Sequence, residues 1–80
     1  MDLRKKKVVV AGLGVSGLWT ARWLAGQGAV FTVSDQRGRS QIGLEVCDEV
    51  ERLGGLLETG GHSRSVFLDS DMIVLSPGVP

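Results

Sequence analysis

The stretch VVVAGLGVSGLWTARWLAGQGA, residues 8–29, carries the strongest structural signal of the chain. It opens with an apolar run, which suits a central strand buried on both faces of a parallel sheet. Three glycines follow with the spacing G-x-G-x-x-G, at Gly12, Gly14 and Gly17. After them, apolar residues recur at helical spacing. The stretch therefore predicts a buried strand, a tight glycine turn and a helix.

The remainder of the chain continues this alternation of strands and helices. Strands are predicted over residues 8–11, 30–34, 56–58 and 72–75, and helices over 16–27, 41–53 and, as a short piece, 64–68. Strands that alternate with helices through short links indicate a parallel sheet with right-handed crossovers. We therefore expect an α/β fold of βαβαβαβ order, a Rossmann-like parallel sheet flanked by helices. Residues 1–80 form one domain, and we expect them to be a fragment of a longer enzyme.

The composition argues against several classes of protein. Nine basic and nine acidic side chains give a formal net charge of zero, which favours neither a nucleic-acid partner nor a membrane partner. Cys47 is the one cysteine, so an internal disulfide and a multi-cysteine zinc site are excluded, and a reducing, cytoplasmic setting is expected. The basic run at residues 4–7 is not followed by the longer apolar stretch of a signal peptide.

The glycine turn predicts a phosphate-binding site. Gly12 allows the tight turn out of the strand, Gly14 lets a ligand approach the backbone, and Gly17 lets the helix pack closely on the sheet. The N-terminus of the following helix offers free N–H groups and a positive dipole end to an anion. A tight turn with no ligand is the alternative.

An acidic residue closes the second predicted strand. Asp35 follows Gly17 near the spacing expected for an acid that binds a ribose, so we expect its carboxylate to accept hydrogen bonds from a nucleoside. A solvated loop residue is the alternative. Arg37 lies two residues further on and is compatible with a 2′-phosphate, a base, another phosphate or plain solvent exposure.

The residues after the last predicted strand form a second candidate surface. In the usual doubly wound order, the fourth strand lies beside the first, on the side away from the second, and ligands bind where the order reverses. The loop Ser76-Pro77-Gly78 then faces the glycine turn. The hydroxyl of Ser76 can donate a hydrogen bond, and Gly78 permits close approach of the backbone. An ordinary Pro-Gly turn is the alternative.

Catalytic and metal-binding residues are not expected within these 80 residues. The sole histidine, His62, has no second ligand at metal-binding spacing, so we expect a turn-capping or surface histidine. Asp69 and Asp71 are expected to be solvated loop charges rather than an acid–base pair. The chain has no G-x-x-x-x-G-K-[ST] phosphate loop and no Ser, His and Asp set that the sequence can bring together.

Two segments, GLGVSGLWTARWLAGQGAVFTVSDQR and the terminal DMIVLSPGVP, together with the intervening GGH, resemble the N-terminal domain of the D-glutamate-adding Mur ligases of peptidoglycan synthesis. The resemblance covers about residues 7–80. It implies a cytoplasmic, ATP-dependent, amide-forming ligase that serves cell wall biogenesis, cell shape and cell division. It also implies that this domain binds the UDP part of UDP-N-acetylmuramoyl-L-alanine, whereas D-glutamate, ATP and Mg²⁺ are bound by domains absent from the 80 residues. No cofactor is expected on this domain.

The resemblance further assigns residues to the UDP site. It implies that the backbone of Val15 and the hydroxyl of Ser16 lie at the uridine–diphosphate end, and that Asp35 and the two residues after it meet the uridine. Gln36 stands where the family also has a hydroxyl residue, which departs from the pattern. The predicted UDP-binding residues are Gly14, Val15, Ser16, Gly17, Asp35, Gln36, Arg37, Ser76, Pro77 and Gly78.

Two other functions fit the glycine turn and the acid that follows it. One is an NAD(P)-binding domain of an oxidoreductase. The other is a regulatory nucleotide-sensing domain, such as those on potassium-transport proteins. A helix N-terminus after a glycine turn, together with an acidic residue, suits UDP and NAD equally. The preference for UDP therefore rests on the resemblance and on the SPGVP ending.

Overall fold

The computed structural model describes residues 2–75 as one alternating series of strands and helices. In chain order these are β1 (Lys7–Ala11), α1 (Val15–Gly26), β2 (Val30–Asp35), α2 (Arg39–Ile42), α3 (Leu44–Arg52), β3 (Leu56–Thr59), α4 (Arg64–Leu68) and β4 (Met72–Leu75). The four predicted strands and the short helix before the last strand are confirmed, with ends that differ by at most one residue.

The strands form one parallel sheet in the order β3-β2-β1-β4. The predicted Rossmann-like α/β fold is confirmed, and β4 lies beside β1 on the side away from β2. The central position of β1 follows from its sequence, because Val8, Val9 and Val10 are exposed by only 1%, 3% and 0%. A strand with apolar side chains on both faces is stable only where both faces are covered.

The core lies between one face of the sheet and the helices α1 and α3. Val10 of β1 and Val33 of β2 are paired in the parallel register and fully buried there. Leu24 of α1 and Val50 of α3 pack against these valines and belong to the same buried cluster. The opposite side of α1 carries large apolar residues at the surface, and Trp19 is 63% exposed with the guanidinium of Arg22 5.0 Å from its ring.

The single helix predicted over residues 41–53 is wrong, because the chain forms two helices with a break at Gly43. That residue has φ +117° and ψ +123°, a left-handed conformation that interrupts the helical hydrogen-bond ladder. Its N–H closes α2 on the carbonyl of Arg39, and its own carbonyl accepts the N–H of Cys47 in α3. The apolar spacing continues across the break, which is why the periodicity alone indicates one helix.

No helix within residues 2–75 combines the length and the apolar character that crossing a membrane requires.

Candidate functional site

The glycine turn joins β1 to α1 at the carboxyl edge of the sheet. Gly12 has φ +97°, a conformation that favours glycine, and its N–H donates to the carbonyl of Ser34 over 2.8 Å. Gly14 is exposed, and a Cβ built on it meets no atom of the described chain within 4 Å. Gly17 is buried in the first turn of α1. The predicted strand, turn and helix are confirmed, and no atom of residues 2–75 occupies the space next to the missing Cβ of Gly14.

The N-terminus of α1 is exposed and uncapped. The first hydrogen bond of the helix runs from the N–H of Leu18 to the carbonyl of Gly14, so the N–H groups of Val15, Ser16 and Gly17 have no partner within the helix. Within the part of the chain that the structure describes, no side chain caps this end, and the first turn holds no acidic residue. Val15 is 79% exposed. The positive end of the helix dipole therefore faces outward at the turn.

Asp35 is the last residue of β2 and is only 5% exposed, so the alternative of a solvated loop residue is wrong. Its Oδ2 accepts the backbone N–H of Leu13 at 2.8 Å and Nη2 of Arg37 at 2.9 Å. Its Oδ1 accepts the backbone N–H of Arg37 at 2.8 Å and Nε at 3.1 Å. These hydrogen bonds, above all those from the Arg37 side chain, lower the pKa of Asp35 from 3.8 to about 2. The carboxylate thus ties the glycine turn to the end of β2.

Arg37 bridges the same two parts of the site from the solvent side. Besides its bonds to Asp35, its Nη2 donates to the carbonyl of Leu13 at 3.0 Å. The side chain remains 49% exposed. Gln36, between them in sequence, is exposed. The structure therefore puts a half-exposed guanidinium, bonded to Asp35 and to the backbone of Leu13, beside the glycine turn.

The other predicted wall of the site, Ser76, Pro77 and Gly78, lies outside the described residues, and its role stays a prediction. The strand before it ends at Leu75, which is paired in register with Ala11 of β1. Ala11 immediately precedes the glycine turn. The described part of the chain therefore brings the end of β4 to the edge of the sheet where the glycine turn begins.

The sequence does not predict a hydrogen-bonded group on the face of the sheet opposite to α1 and α3. Ser34 is fully buried, and its Oγ lies 2.8 Å from Oε1 of Glu58 and 2.6 Å from Nδ1 of His62. We call Ser34, Glu58 and His62 the His62 clasp. The signal that could have revealed it is the alternation of β2, whose residues between the core positions are polar, since Ser34 and Glu58 are register partners on β2 and β3.

The remaining candidate residues have structural contacts. Cys47 is fully buried in α3, as expected for a small apolar residue. Asp71 accepts the backbone N–H of Lys7 at 2.8 Å, and Asp69 forms an exposed ion pair with Nζ of the same lysine at 3.1 Å. Both carboxylates therefore contact Lys7, the first residue of β1. Among residues 2–75, no three His, Cys, Asp or Glu side chains are grouped so as to hold a metal ion.

The parallel sheet of order β3-β2-β1-β4, with a glycine turn leading into α1, defines a Rossmann-like α/β domain. The fold is similar to that of SirC, precorrin-2 dehydrogenase, with a TM-score of 0.74 over 94% of this chain and 36% of that chain. The two sequences are 19% identical, so this likeness concerns the fold alone.

The sequence itself identifies the family. The family described as Mur ligase MurD-like, N-terminal domain, matches residues 6–80, and the chain belongs to it. Over 80 residues the chain is 48% identical to the UDP-N-acetylmuramoylalanine–D-glutamate ligase of Desulfosudis oleivorans and 46% identical to that of Koribacter versatilis. Each match covers 100% of this chain and 17% of the relative, so the chain spans a small part of the relatives' length. The resemblance to the D-glutamate-adding Mur ligases is thereby confirmed.

Proposed function

We propose that the chain is the UDP-binding part of a longer ligase of peptidoglycan synthesis, which adds D-glutamate to UDP-N-acetylmuramoyl-L-alanine. Membership of the MurD-like family and the names of its relatives support the ligase. The arrangement of polar groups at the carboxyl ends of β1 and β2 supports binding of the UDP part.

The open N-terminus of α1 is the observation that carries this proposal. A diphosphate placed there accepts hydrogen bonds from the free N–H groups of Val15, Ser16 and Gly17, which no acidic side chain of the first turn competes for. The helix dipole adds about 0.3–1 kcal/mol for a negative charge at this position. The missing Cβ of Gly14 lets the phosphate oxygens approach the backbone. Helix, turn and ligand charge are therefore complementary.

The nucleoside end of the ligand then lies beside Asp35 and Arg37. A carboxylate has about four acceptor positions, and the chain itself fills four on Asp35, so a nucleoside that bonds to it must displace a donor. Arg37 is the donor able to move, because half of its side chain is exposed. In this proposal its guanidinium turns toward the ligand, while the N–H of Leu13 keeps the carboxylate in place.

The bond-making steps of the proposed reaction belong to the longer protein. There, ATP with Mg²⁺ phosphorylates the carboxylate of the L-alanine, and the amine of D-glutamate displaces the phosphate to form the amide. The residues at the glycine turn only hold the UDP part. We therefore expect the 80-residue chain, given ATP and both substrates, to release no ADP that depends on D-glutamate. Such release, measured by a coupled assay, would overturn this expectation.

An NAD(P)-binding domain of an oxidoreductase is the alternative that shares the glycine turn. Family membership does not favour it, and the likeness to a dehydrogenase at 19% identity concerns the fold alone.

Isothermal calorimetry with the purified chain separates these two functions. We expect heat of binding from UDP-N-acetylmuramoyl-L-alanine and from UDP, and weaker binding of uridine, which lacks the diphosphate. NADH should bind less tightly than either UDP ligand. Tighter binding of NADH than of UDP-N-acetylmuramoyl-L-alanine would refute the proposal and favour the oxidoreductase.

A further inference from the structure

The hydrogen bonds of the His62 clasp have a defined direction. The hydroxyl of Ser34 has one proton, and hydrogen bonds from Ser63 and Ser34 lower the pKa of Glu58, so its ionised carboxylate can only accept. Ser34 therefore donates to Glu58, and the proton between Ser34 and His62 must come from the imidazole. His62 consequently carries a proton on Nδ1.

The orientation of the imidazole is set from two sides. The ring of Phe67 in α4 meets it edge to face, with the centroids 5.5 Å apart and the planes at 84°. Oε1 of Glu58 also accepts the backbone N–H of Ser63, the residue after the histidine, at 2.8 Å. Rotation of the ring away from Ser34 therefore breaks its contacts with β2 and α4, while the bond from Ser63 to Glu58 fixes the backbone next to the histidine.

The clasp holds the loop between β3 and α4, and this loop is bonded to the candidate site. The N–H of Gly60 donates to the carbonyl of Arg37 at 3.1 Å, and the N–H of Gly61 donates to the carbonyl of Asp35 at 3.4 Å. Both glycines have positive φ, at +80° and +157°. The carbonyl oxygen of Gly61 also lies 3.4 Å from Oγ of Ser34, so the glycine pair and the following histidine meet the same hydroxyl.

We propose that His62 is a positioning residue of the UDP site. It does not touch the ligand. It anchors the Gly60 and Gly61 pair to the sheet, and that pair holds the backbone carbonyls at residues 35 and 37, from which the Asp35 carboxylate and the Arg37 guanidinium project. The effect on ligand affinity rests on the proposed function, whereas the effect on the loop does not.

Two substitutions of the histidine separate a positioning role from general stability. In His62→Asn the amide nitrogen stands as many bonds from Cβ as Nδ1 does, so the donor to Ser34 is kept. In His62→Gln the amide lies one carbon further out, and the donor is lost. Loss of one such bond is worth about 1 kcal/mol, so His62→Gln should raise the Kd for UDP-N-acetylmuramoyl-L-alanine about fivefold. His62→Asn should stay within about twofold.

Amide hydrogen exchange, measured without ligand, reports on the loop between β3 and α4. The amides of Gly60 and Gly61 donate to the two carbonyls, so we expect faster exchange there in His62→Gln and wild-type rates in His62→Asn. Val50→Ala, in the core on the other face of the sheet, is the control for lost stability, and it should leave both affinity and the relative protection of these amides unchanged.

Each outcome decides the inference. Equal exchange at Gly60 and Gly61 in the wild type and in His62→Gln overturns it, as does an Nε2–H tautomer of His62 seen by ¹⁵N NMR. Wild-type affinity in His62→Gln together with faster exchange overturns the link to the UDP site. A wild-type chain that binds no UDP ligand contradicts the proposed function instead, and the exchange rates of the two variants still decide whether the clasp holds the loop.

Discussion

Asp35 concentrates more hydrogen bonds than any other side chain described at the site. Its carboxylate connects Leu13 in the glycine turn with Arg37 after β2, so it stabilises the fold and shapes the candidate site at once. A buried carboxylate with several donors is strongly favoured in its charged form. The stability of the folded chain in acid should therefore depend on this carboxylate.

The pKa of Asp35 sets the pH range of this effect. The pKa of Asp35 is about 2 in the folded chain against 3.8 as its ordinary value, so the unfolded chain takes up this proton first as the pH falls. Its stabilisation is complete above about pH 5 and is lost toward pH 2. Allowing for screening of the half-exposed Arg37, the loss is about 1–2 kcal/mol. Urea denaturation between pH 2 and pH 7 measures it.

Asp35→Asn provides the comparison, because other carboxylates of the chain titrate in the same range. The variant should be less stable than the wild type at pH 7 by about 1–2 kcal/mol, and the difference should become small near pH 2, where half of Asp35 is protonated in the folded chain. A difference that is constant over this pH range would show that the charge of Asp35 contributes nothing to folding.

Gly14 offers a second test at a single residue. An added Cβ meets nothing in the described chain, and φ −99° with ψ −161° is extended backbone that any residue adopts. Gly14→Ala should therefore fold normally, while its methyl group occupies the space through which the diphosphate approaches. We expect the Kd for UDP to rise at least tenfold, which corresponds to about 1.4 kcal/mol.

Gly26→Ala is the matched control, since its Cβ also meets nothing within 4 Å but lies at the far end of α1. It should bind UDP as the wild type does. Equal affinity of both alanine variants would remove Gly14 from the binding site.

The sequence predicts where the site residues lie along the chain better than it predicts their hydrogen-bond partners. Asp35 follows from its spacing after Gly17, and the glycine turn follows from its pattern. The bond from the N–H of Leu13 to Asp35 joins residues 22 positions apart, and it depends on how the turn packs on β2. The contact between His62 and Ser34, 28 positions apart, depends likewise on the loop path. Neither path is encoded in local periodicity.

The close packing of β3 against β2 depends on Gly55, the residue immediately before β3. A Cβ on the buried Gly55 would lie 2.7 Å from Cζ of Phe31 and close to two further atoms of its ring. That ring is 2% exposed and enclosed by the core, so it cannot give way. Gly55→Ala should therefore lower the free energy of unfolding by about 1–3 kcal/mol.

Thermal or urea denaturation of Gly55→Ala checks this expectation. Gly26→Ala again serves as the control, since a helical position with free space around Cβ should gain or keep stability. A melting temperature of Gly55→Ala equal to that of the wild type would mean that β3 can shift relative to Phe31.

The helices show where local pattern reaches its limit. The apolar spacing over residues 41–53 indicates one helix, because Ile42 before Gly43 and Val46 and Val50 after it all pack on the core. Gly43 breaks the backbone without interrupting that repeat, so α2 and α3 both contribute to one apolar face. A glycine inside an apolar repeat marks a possible break, and only the backbone conformation decides it.

For the whole molecule, the alternation of elements determined the architecture. Parallel strands, right-handed crossovers and short links leave few topologies, and the observed order β3-β2-β1-β4 is the one expected. The change of direction between β1 and β4 puts the glycine turn at the point where ligands bind in such sheets. The geometry of the site does not distinguish the two candidate ligands, because UDP and NAD both present a diphosphate to a helix N-terminus. Family membership does not favour the NAD alternative, and the binding of UDP stays a proposal.

In the proposed function, the N-terminus of α1 holds the diphosphate of a UDP ligand. Titration of ¹⁵N-labelled chain with UDP-N-acetylmuramoyl-L-alanine, followed by amide chemical shifts, tests it most directly. The largest shifts should fall on Val15, Ser16 and Gly17, with smaller ones at Arg37 and little change in α3. Shifts concentrated away from the glycine turn, or a response of these three amides to NADH but not to the UDP ligand, would contradict the claim.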